Sequence, residues 1–218
     1  IMSQKTRILI LLSFSLLLGQ SACSSNNSAP VNPSGSTLFS DDFNEASKGW
    51  GTMDRSGGEI YFDYGGLVIK VNLADFMFWT VNGDDYSDTR IDVDAVLMNG
   101  PNNDNFGVIC RYQDNQNFYG FLVTHDGYYG IFKMQDGSIV LSSENGDLQY
   151  SESIRQGGVV NHITATCQGN DLQLLVNGDL LAEVADEAFS AGQVGLIAGA
   201  YDMPGVEILF DNFNVTQP

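Results

Sequence analysis

Positive charge is what this chain most lacks. Nine lysines and arginines stand against 27 aspartates and glutamates over 218 residues, a formal net charge of −18 at pH 7. Such a surface repels phosphate backbones and disfavours nucleic acid as a partner. It suits a soluble protein, or one that gathers cations. Soft metal ligands are scarce too: three cysteines, and two histidines that stand apart at His125 and His162, do not make a zinc centre. The apolar run Ile8 to Leu18 has eleven residues, whereas a bilayer-spanning helix needs about twenty. Proline is rare at 5 and glycine plentiful at 24, with 43% of the chain hydrophobic. That balance excludes a disordered chain and fits a globular β protein rich in turns.

Two of the few cations, Lys5 and Arg7, precede the apolar run, which ends in Gly19-Gln20-Ser21-Ala22-Cys23. A short basic segment, an apolar segment and small residues at its end make residues 1–22 a secretory signal. Ser21-Ala22-Cys23 resembles the lipobox of bacterial lipoproteins, in which the cysteine is acylated and becomes the new N-terminus. Gln20, where that motif favours a leucine-like residue, keeps cleavage without lipid as the alternative. Residues 23–37 are small and polar with two prolines, which reads as a flexible tether. The layout predicts an exported protein, anchored at the cell envelope or surface through lipid at Cys23. Its only membrane contact would be that anchor. With the signal removed, seven cations face 27 anions, a net of −20.

Cys110 and Cys167 then remain as a pair. Each shares strand parity with apolar neighbours, Phe106 and Val108 in one case, Ile163 and Ala165 in the other. Both side chains should face a core. In an oxidising compartment an even pair is read as a disulfide, with two buried thiols as the alternative.

From residue 38 to 216 the pattern is one of strands and tight turns. Arg90-Ile91-Asp92-Val93-Asp94-Ala95 alternates charged and apolar residues, as a half-buried strand does. Asp171 to Val176 behaves similarly and runs into Asn177-Gly178, a strong hairpin signal. Asp126-Gly127 and Asp136-Gly137 bracket another strand. Only Asp186 to Ala191 offers room for a helical turn. A dozen or so short strands at this spacing predict a sandwich or barrel. One segment breaks the alternation: Phe118 to Met134 (FYGFLVTHDGYYGIFKM) is large and apolar on both parities. Such strands have core on one face and something else to cover, or to bind, on the other.

Three stretches carry a family resemblance. The first is Phe39-Ser40-Asp41-Asp42-Phe43 with Gly49-Trp50. The second is Gly107 to Asp114 (GVICRYQD), with Asn117 to Phe121 (NFYGF) and Asp126-Gly127-Tyr128-Tyr129. The third is Leu174 to Gly178 (LLVNG), with Gly192 to Leu196 (GQVGL) and Phe210 to Phe213 (FDNF). The chain resembles the concanavalin A-like lectin/glucanase superfamily, in its laminin-G-like jelly-roll branch, over nearly all of residues 38–215. The resemblance implies an all-β, two-sheet antiparallel jelly-roll sandwich with first and last strands adjacent. It also implies glycan or protein recognition, often without catalysis. Fold alone does not license a function.

Hydrolysis of a glycosidic bond needs two carboxylates across it. The family's hydrolases carry them as Glu-x-Asp-x-x-Glu, and no such run occurs here. Asp92 and Asp94 alternate without a following Glu, and Glu59 with Asp63 is only a pair. No serine elbow, Cys–His arrangement or phosphate-binding glycine loop appears. Sugar binding asks for an aromatic face and polar grips, and a concave sheet presenting Arg111, Tyr119, Tyr129 and Lys133 would provide both. The alternative is that Arg111 pairs with an acid and the tyrosines are half-buried sheet residues. Trp50 reads as core, Trp79 as either core or contact. Asp42 and Asp211, near the two chain ends, are candidate ligands for a structural calcium, as are the oxygen-rich runs 84–88 and 99–105. Plain turns are the alternative there. The expectation is a monomeric, non-catalytic glycan- or polysaccharide-binding module. A polysaccharide hydrolase or lyase, and a protein-binding surface domain, are the alternatives.

Overall fold

A computed structural model describes residues 35–44, 49–142 and 146–218. Residues 1–22, read above as a signal, Cys23 and most of the expected tether lie outside the described residues. Among those described, the strands run β1 (Thr37–Asp41), β2 (Met53–Arg55), β3 (Gly58–Asp63), β4 (Gly66–Val71), β5 (Phe76–Val81) and β6 (Thr89–Asn99). Next come β7 (Asn105–Asp114), β8 (Asn117–Thr124), β9 (Tyr128–Gln135), β10 (Ser138–Leu141) and β11 (Gln149–Tyr150). The last five are β12 (Asn161–Gln168), β13 (Asp171–Val176), β14 (Asp179–Ala185), β15 (Gln193–Ala200) and β16 (Val206–Thr216). No helix forms among the described residues, and Asp186 to Ala191 is an irregular loop.

The strands build two antiparallel sheets. Nine strands make one, in the order β14-β13-β12-β6-β16-β4-β3-β2 with β1 also on β16. Seven make the other, in the order β10-β9-β8-β7-β15-β5 with β11 also on β9. First and last strands are neighbours, Phe39 opposite Val215 and Asp41 opposite Phe213. The turn at Asn177-Gly178 has positive φ at both residues, 52° and 92°, which matches the strand twist and closes the β13–β14 hairpin.

Period-two alternation fills the space between the sheets. Ile91, Val93, Ala95 and Leu97 of β6 meet Phe106, Val108 and Cys110 of β7 and Tyr119, Phe121 and Val123 of β8 in one buried cluster. The Cys110–Cys167 disulfide crosses this layer, tying β7 of one sheet to β12 of the other across 57 residues of chain. At the start of the domain Trp50 is core, its Nε1–H donating to buried Asp41 at 3.0 Å.

The seven-stranded sheet is apolar on its outer face as well. Ile109, Phe118, Leu122, Phe132, Met134 and Ile197 form a second buried cluster, with Met77, Trp79, Tyr112 and Leu141 packed against it. This is the two-sided pattern of residues 118–134. Gly120 makes it possible on β8, because the Phe132 ring lies where a Cβ would stand.

Two titratable groups sit deep at one end of the sandwich. Asp104 is fully buried, and burial, aided by the charges of Asp202 and Asp126, pushes its carboxyl up to about 6 against the opposing Tyr201 N–H bond. His125 is fully buried too. Its Nε2 accepts the Leu97 N–H at 3.1 Å, and burial pulls the imidazole down to about 4. The signs oppose each other. The Asp104 contribution to stability is complete below an unfolded pKa of about 3.9 and is lost as pH rises through 6. The His125 contribution is complete above about 6.5 and is lost as pH falls through 4.

Asp104→Asn should therefore raise the melting temperature at pH 7.5, with the gain shrinking to nothing by pH 4 in circular-dichroism melts. Replacing Cys110 and Cys167 together by alanine should cost about 4 kcal/mol for a 57-residue loop, read from urea unfolding.

Candidate functional site

Three of the four residues expected to hold a ligand are interior, and the fourth, Lys133 on β9, is engaged by Asp186. Arg111 is 2% exposed: its Nε donates to Ser87 O at 3.0 Å, its Nη1 to Phe189 O at 2.9 Å, and its Nη2 lies 3.3 Å from Asp88 Oδ1. Tyr119 is 1% exposed and donates its hydroxyl to Asp186 Oδ1 at 2.6 Å while accepting the Phe189 N–H. Lys133 Nζ sits 2.6 Å from Asp186 Oδ2. Burial alone would raise the Asp186 carboxyl, but the bonds from Lys133, Tyr119 and the Ala188 N–H outweigh it and hold it below the usual range. Burial and the same carboxylate push Tyr119 up to about 12. Together these groups fasten the loop between β14 and β15 over the end of the core. Tyr129 faces the interior as well and touches Gln149 at 3.2 Å along the β9–β14 edge. None of the four stands on the outer sheet face, and the site expected from them is corrected.

A bulge explains most of the discrepancy. Strict alternation along β7 puts Ile109 and Arg111 on one face and Cys110 and Tyr112 on the other. The register of β7 with β8 shifts after Cys110, and Arg111 takes φ 51°, the left-handed region. One extra residue re-aims the side chains beyond it. Arg111 turns inward beside Cys110, and Tyr112 comes out to join Phe118 on the outer face, ring centroids 5.7 Å apart. Tyr119 is set by its partner: it lies directly opposite Cys110, so it points inward with the disulfide, and Lys133 lies opposite Tyr119.

The aromatic side chains on the outer sheet face are therefore a different set. Trp79 and Tyr112 are half-buried and flank Phe118, with Trp79 at 5.5 Å. Trp79 borders a cleft of about 330 Å³ in which the two sheets meet edge to edge. Edge strand β2 of the nine-stranded sheet contributes Met53 and Arg55, and edge strand β5 of the other contributes Met77 and Trp79. Asn115, from the turn after β7, completes the lining, and its Oδ1 accepts the Tyr112 hydroxyl at 2.6 Å. Sequence reasoning left Trp79 undecided and missed Arg55, Tyr112 and Asn115. The one available signal was that β5, Phe76 to Val81, carries no charge on either face although it ends a sheet.

The remaining candidates stay where the strands put them. Glu59 pairs with Lys70 at 3.4 Å, and Asp63 accepts the Tyr64 N–H. Asp92 is gripped by Arg90 and Thr164, and Asp94 by His162 Nδ1 at 2.7 Å and by Asn212. Asp42 borders a depression with Ser40, Asn212 and Asn214, whereas Asp211 lies opposite Asp94 in another. No three Asp, Glu, His or Cys side chains among the described residues converge as a metal site. On the outer face of the seven-stranded sheet, the described strands carry no carboxylate except Asp114. That one is held in its turn by Gln116 and Asn117.

The fold is the concanavalin A-like jelly roll. Among solved structures it is similar to carbohydrate binding module CBM66 from Bacillus subtilis, at 18% identity and a TM-score of 0.63, over 78% of this chain and 96% of that one. It is also similar to the β-glucanase of Bacillus licheniformis, at 9% identity and a TM-score of 0.60, over 83% and 98% of the two chains. The GH43 protein BlXynB from Bacillus licheniformis matches at 14% identity and a TM-score of 0.62, over 82% of this chain and 39% of that one. Identities this low establish a shared fold and leave the ligand to the site itself. No protein-family model matches the chain, and no curated protein matches it.

If the Arg111 and Tyr119 contacts hold the β14–β15 loop, their loss should register in stability. Tyr119→Phe should cost about 1–2 kcal/mol through the orphaned Asp186 and Phe189 partners. Arg111→Ala should cost about 2–5 kcal/mol, through the space left by a buried side chain and the orphaned carbonyls of Ser87 and Phe189. Both are read from urea unfolding, and an unchanged midpoint for Arg111→Ala would refute the assignment.

Proposed function

We propose that this protein is a non-catalytic recognition module that binds a glycan at the Trp79 cleft. In this reading it is exported and displayed at the cell surface through lipid at Cys23. The observation that carries it is the cleft itself: a half-buried indole on an edge strand, bordered by a guanidinium and an amide. Sugars are gripped in that way, by a ring against an aromatic face and hydroxyls on charged or amide groups. The likeness in fold to a carbohydrate binding module supports the reading. Binding is preferred over cleavage because two carboxylates facing one bond are what hydrolysis needs, and this face offers none across the cleft among the described residues.

A glycan array probed with the purified chain, with calcium and again with chelator, tests it. Saturable binding to at least one glycan is expected, reduced tenfold or more by Trp79→Ala and unaffected by Leu180→Ala on the opposite sheet edge. A blank array from a folded sample would sink the glycan reading and leave the protein-binding alternative.

A further inference from the structure

Three side chains lining the Trp79 cleft carry hydrogen-bond donors that have no partner among the described residues. Arg55 is exposed and, among the described residues, has no carboxylate in ion-pair range and no hydrogen-bond acceptor beside it. The other cations among the described residues are all engaged. Lys70 pairs with Glu59, Arg90 with Asp92 and Lys133 with Asp186; Arg111 is tied inside the core, and Arg155 donates to the Val160 carbonyl. In a chain with three times as many acids as bases, Arg55 differs from the other described cations in having neither an acid nor a carbonyl to hold it. Asn115 adds another donor. Its Oδ1 accepts the Tyr112 hydroxyl, which fixes the amide, and its Nδ2 hydrogens have no partner among the described residues. Trp79 Nε1–H, a donor with no acceptor capacity, has no partner among the described residues either. The walls between them are the apolar side chains of Met53, Met77 and Phe78, and none of the described acidic residues lines the cleft.

A hydroxyl of a neutral sugar can take a hydrogen bond from Arg55 but leaves its charge unmatched. A carboxylate takes only, and it matches a guanidinium fork in a bidentate pair. The geometry points to an acidic sugar unit as the ligand of this cleft: a hexuronate whose ring lies against Trp79 and whose carboxylate is held by Arg55, with Asn115 Nδ2 as the second grip. This rests on the glycan-binding reading and narrows it. The volume, about 330 Å³, is at the small end of ligand pockets and takes one ring rather than a stretch of chain. Net charge sets the same limit. At physiological salt the screening length is about 8 Å, so Arg55 dominates at contact distance. A long polyanion would press against the rest of a surface carrying −18. A chain end or short oligomer fits both constraints.

The test is calorimetric titration of the protein with a panel of short hexuronate oligomers. Galacturonate, glucuronate, mannuronate and guluronate are included, each beside its carboxyl-reduced neutral counterpart. At least one acidic oligomer should bind ten times or more tightly than its neutral partner, and more weakly in 0.5 M than in about 0.05 M salt. Arg55→Ala should abolish that difference and Arg55→Lys restore it in part, while Trp79→Ala should weaken acidic and neutral oligomers alike. Arg55 is exposed, so a melting curve unchanged by its substitution certifies the fold. If no acidic oligomer outbinds its neutral partner, or if Arg55→Ala keeps the full preference, the acidic-sugar assignment is overturned while glycan binding can stand. If the panel and every glycan of the array fail together, the glycan reading falls and takes this assignment with it.

Discussion

The bulge in β7 after Cys110 is the constraint on which the rest of the structure depends. Cys110 must face inward to meet Cys167, and strict pleating would then send Arg111 outward and Tyr112 into the core. The register shift beyond Cys110 lets both Cys110 and Arg111 serve the interior. Arg111 uses the opportunity fully: its guanidinium reaches one carbonyl before β6 and another in the loop before β15, far apart in sequence. Those bonds hold the end of the sandwich shut next to the covalent link. The left-handed backbone at Arg111 is a local cost, and a fully buried side chain with three partners is what offsets it.

The same bulge shapes the outer face. Tyr112 emerges beside Phe118 and lends its hydroxyl to Asn115, which orients the amide at the rim of the cleft. The seven-stranded sheet is therefore a shared wall, with core on one side and an aromatic surface on the other. Each side chain in that surface is set by alternation along its own strand. The cleft, by contrast, belongs to no single element. It exists because β2 and β5, edge strands of different sheets, come close at one side of the sandwich.

Scarcity of cations gives each one meaning. Five of the six among the described residues are committed to holding strands and loops together, and the acids they engage are those on sheet faces and loop ends. The large acidic surplus keeps the surface self-repelling, which favours solubility over association. Against that background a basic group at an apolar cleft is a local inversion of sign. Local donors and a distant opposing field together favour a small, singly charged group over an extended one.

How much of this was legible in the residues depends on the range of each interaction. Alternation is a property of the strand alone, so the all-β class, the inward parity of Cys110 and Cys167, the Asn177-Gly178 hairpin and the doubly apolar segment 118–134 could be read directly. The resemblance of the opening, central and closing motifs supplied the two-sheet jelly roll and the pairing of first with last strand. Which side of a doubly apolar strand faces the core could not be read, because both parities of Phe118 to Met134 look alike. Tyr119 and Tyr129 were placed on the wrong side for that reason. Arg111 was misplaced because a bulge moves one residue against its neighbours with no mark in the local pattern. Fold class, core parity and the shortage of positive charge were determined by the sequence itself, since each depends on composition or on neighbours along the chain. The choice of faces and the meeting of Arg55, Trp79 and Asn115 were decided only by tertiary structure. Strand pairing between distant segments brings those groups together, and no local rule encodes it.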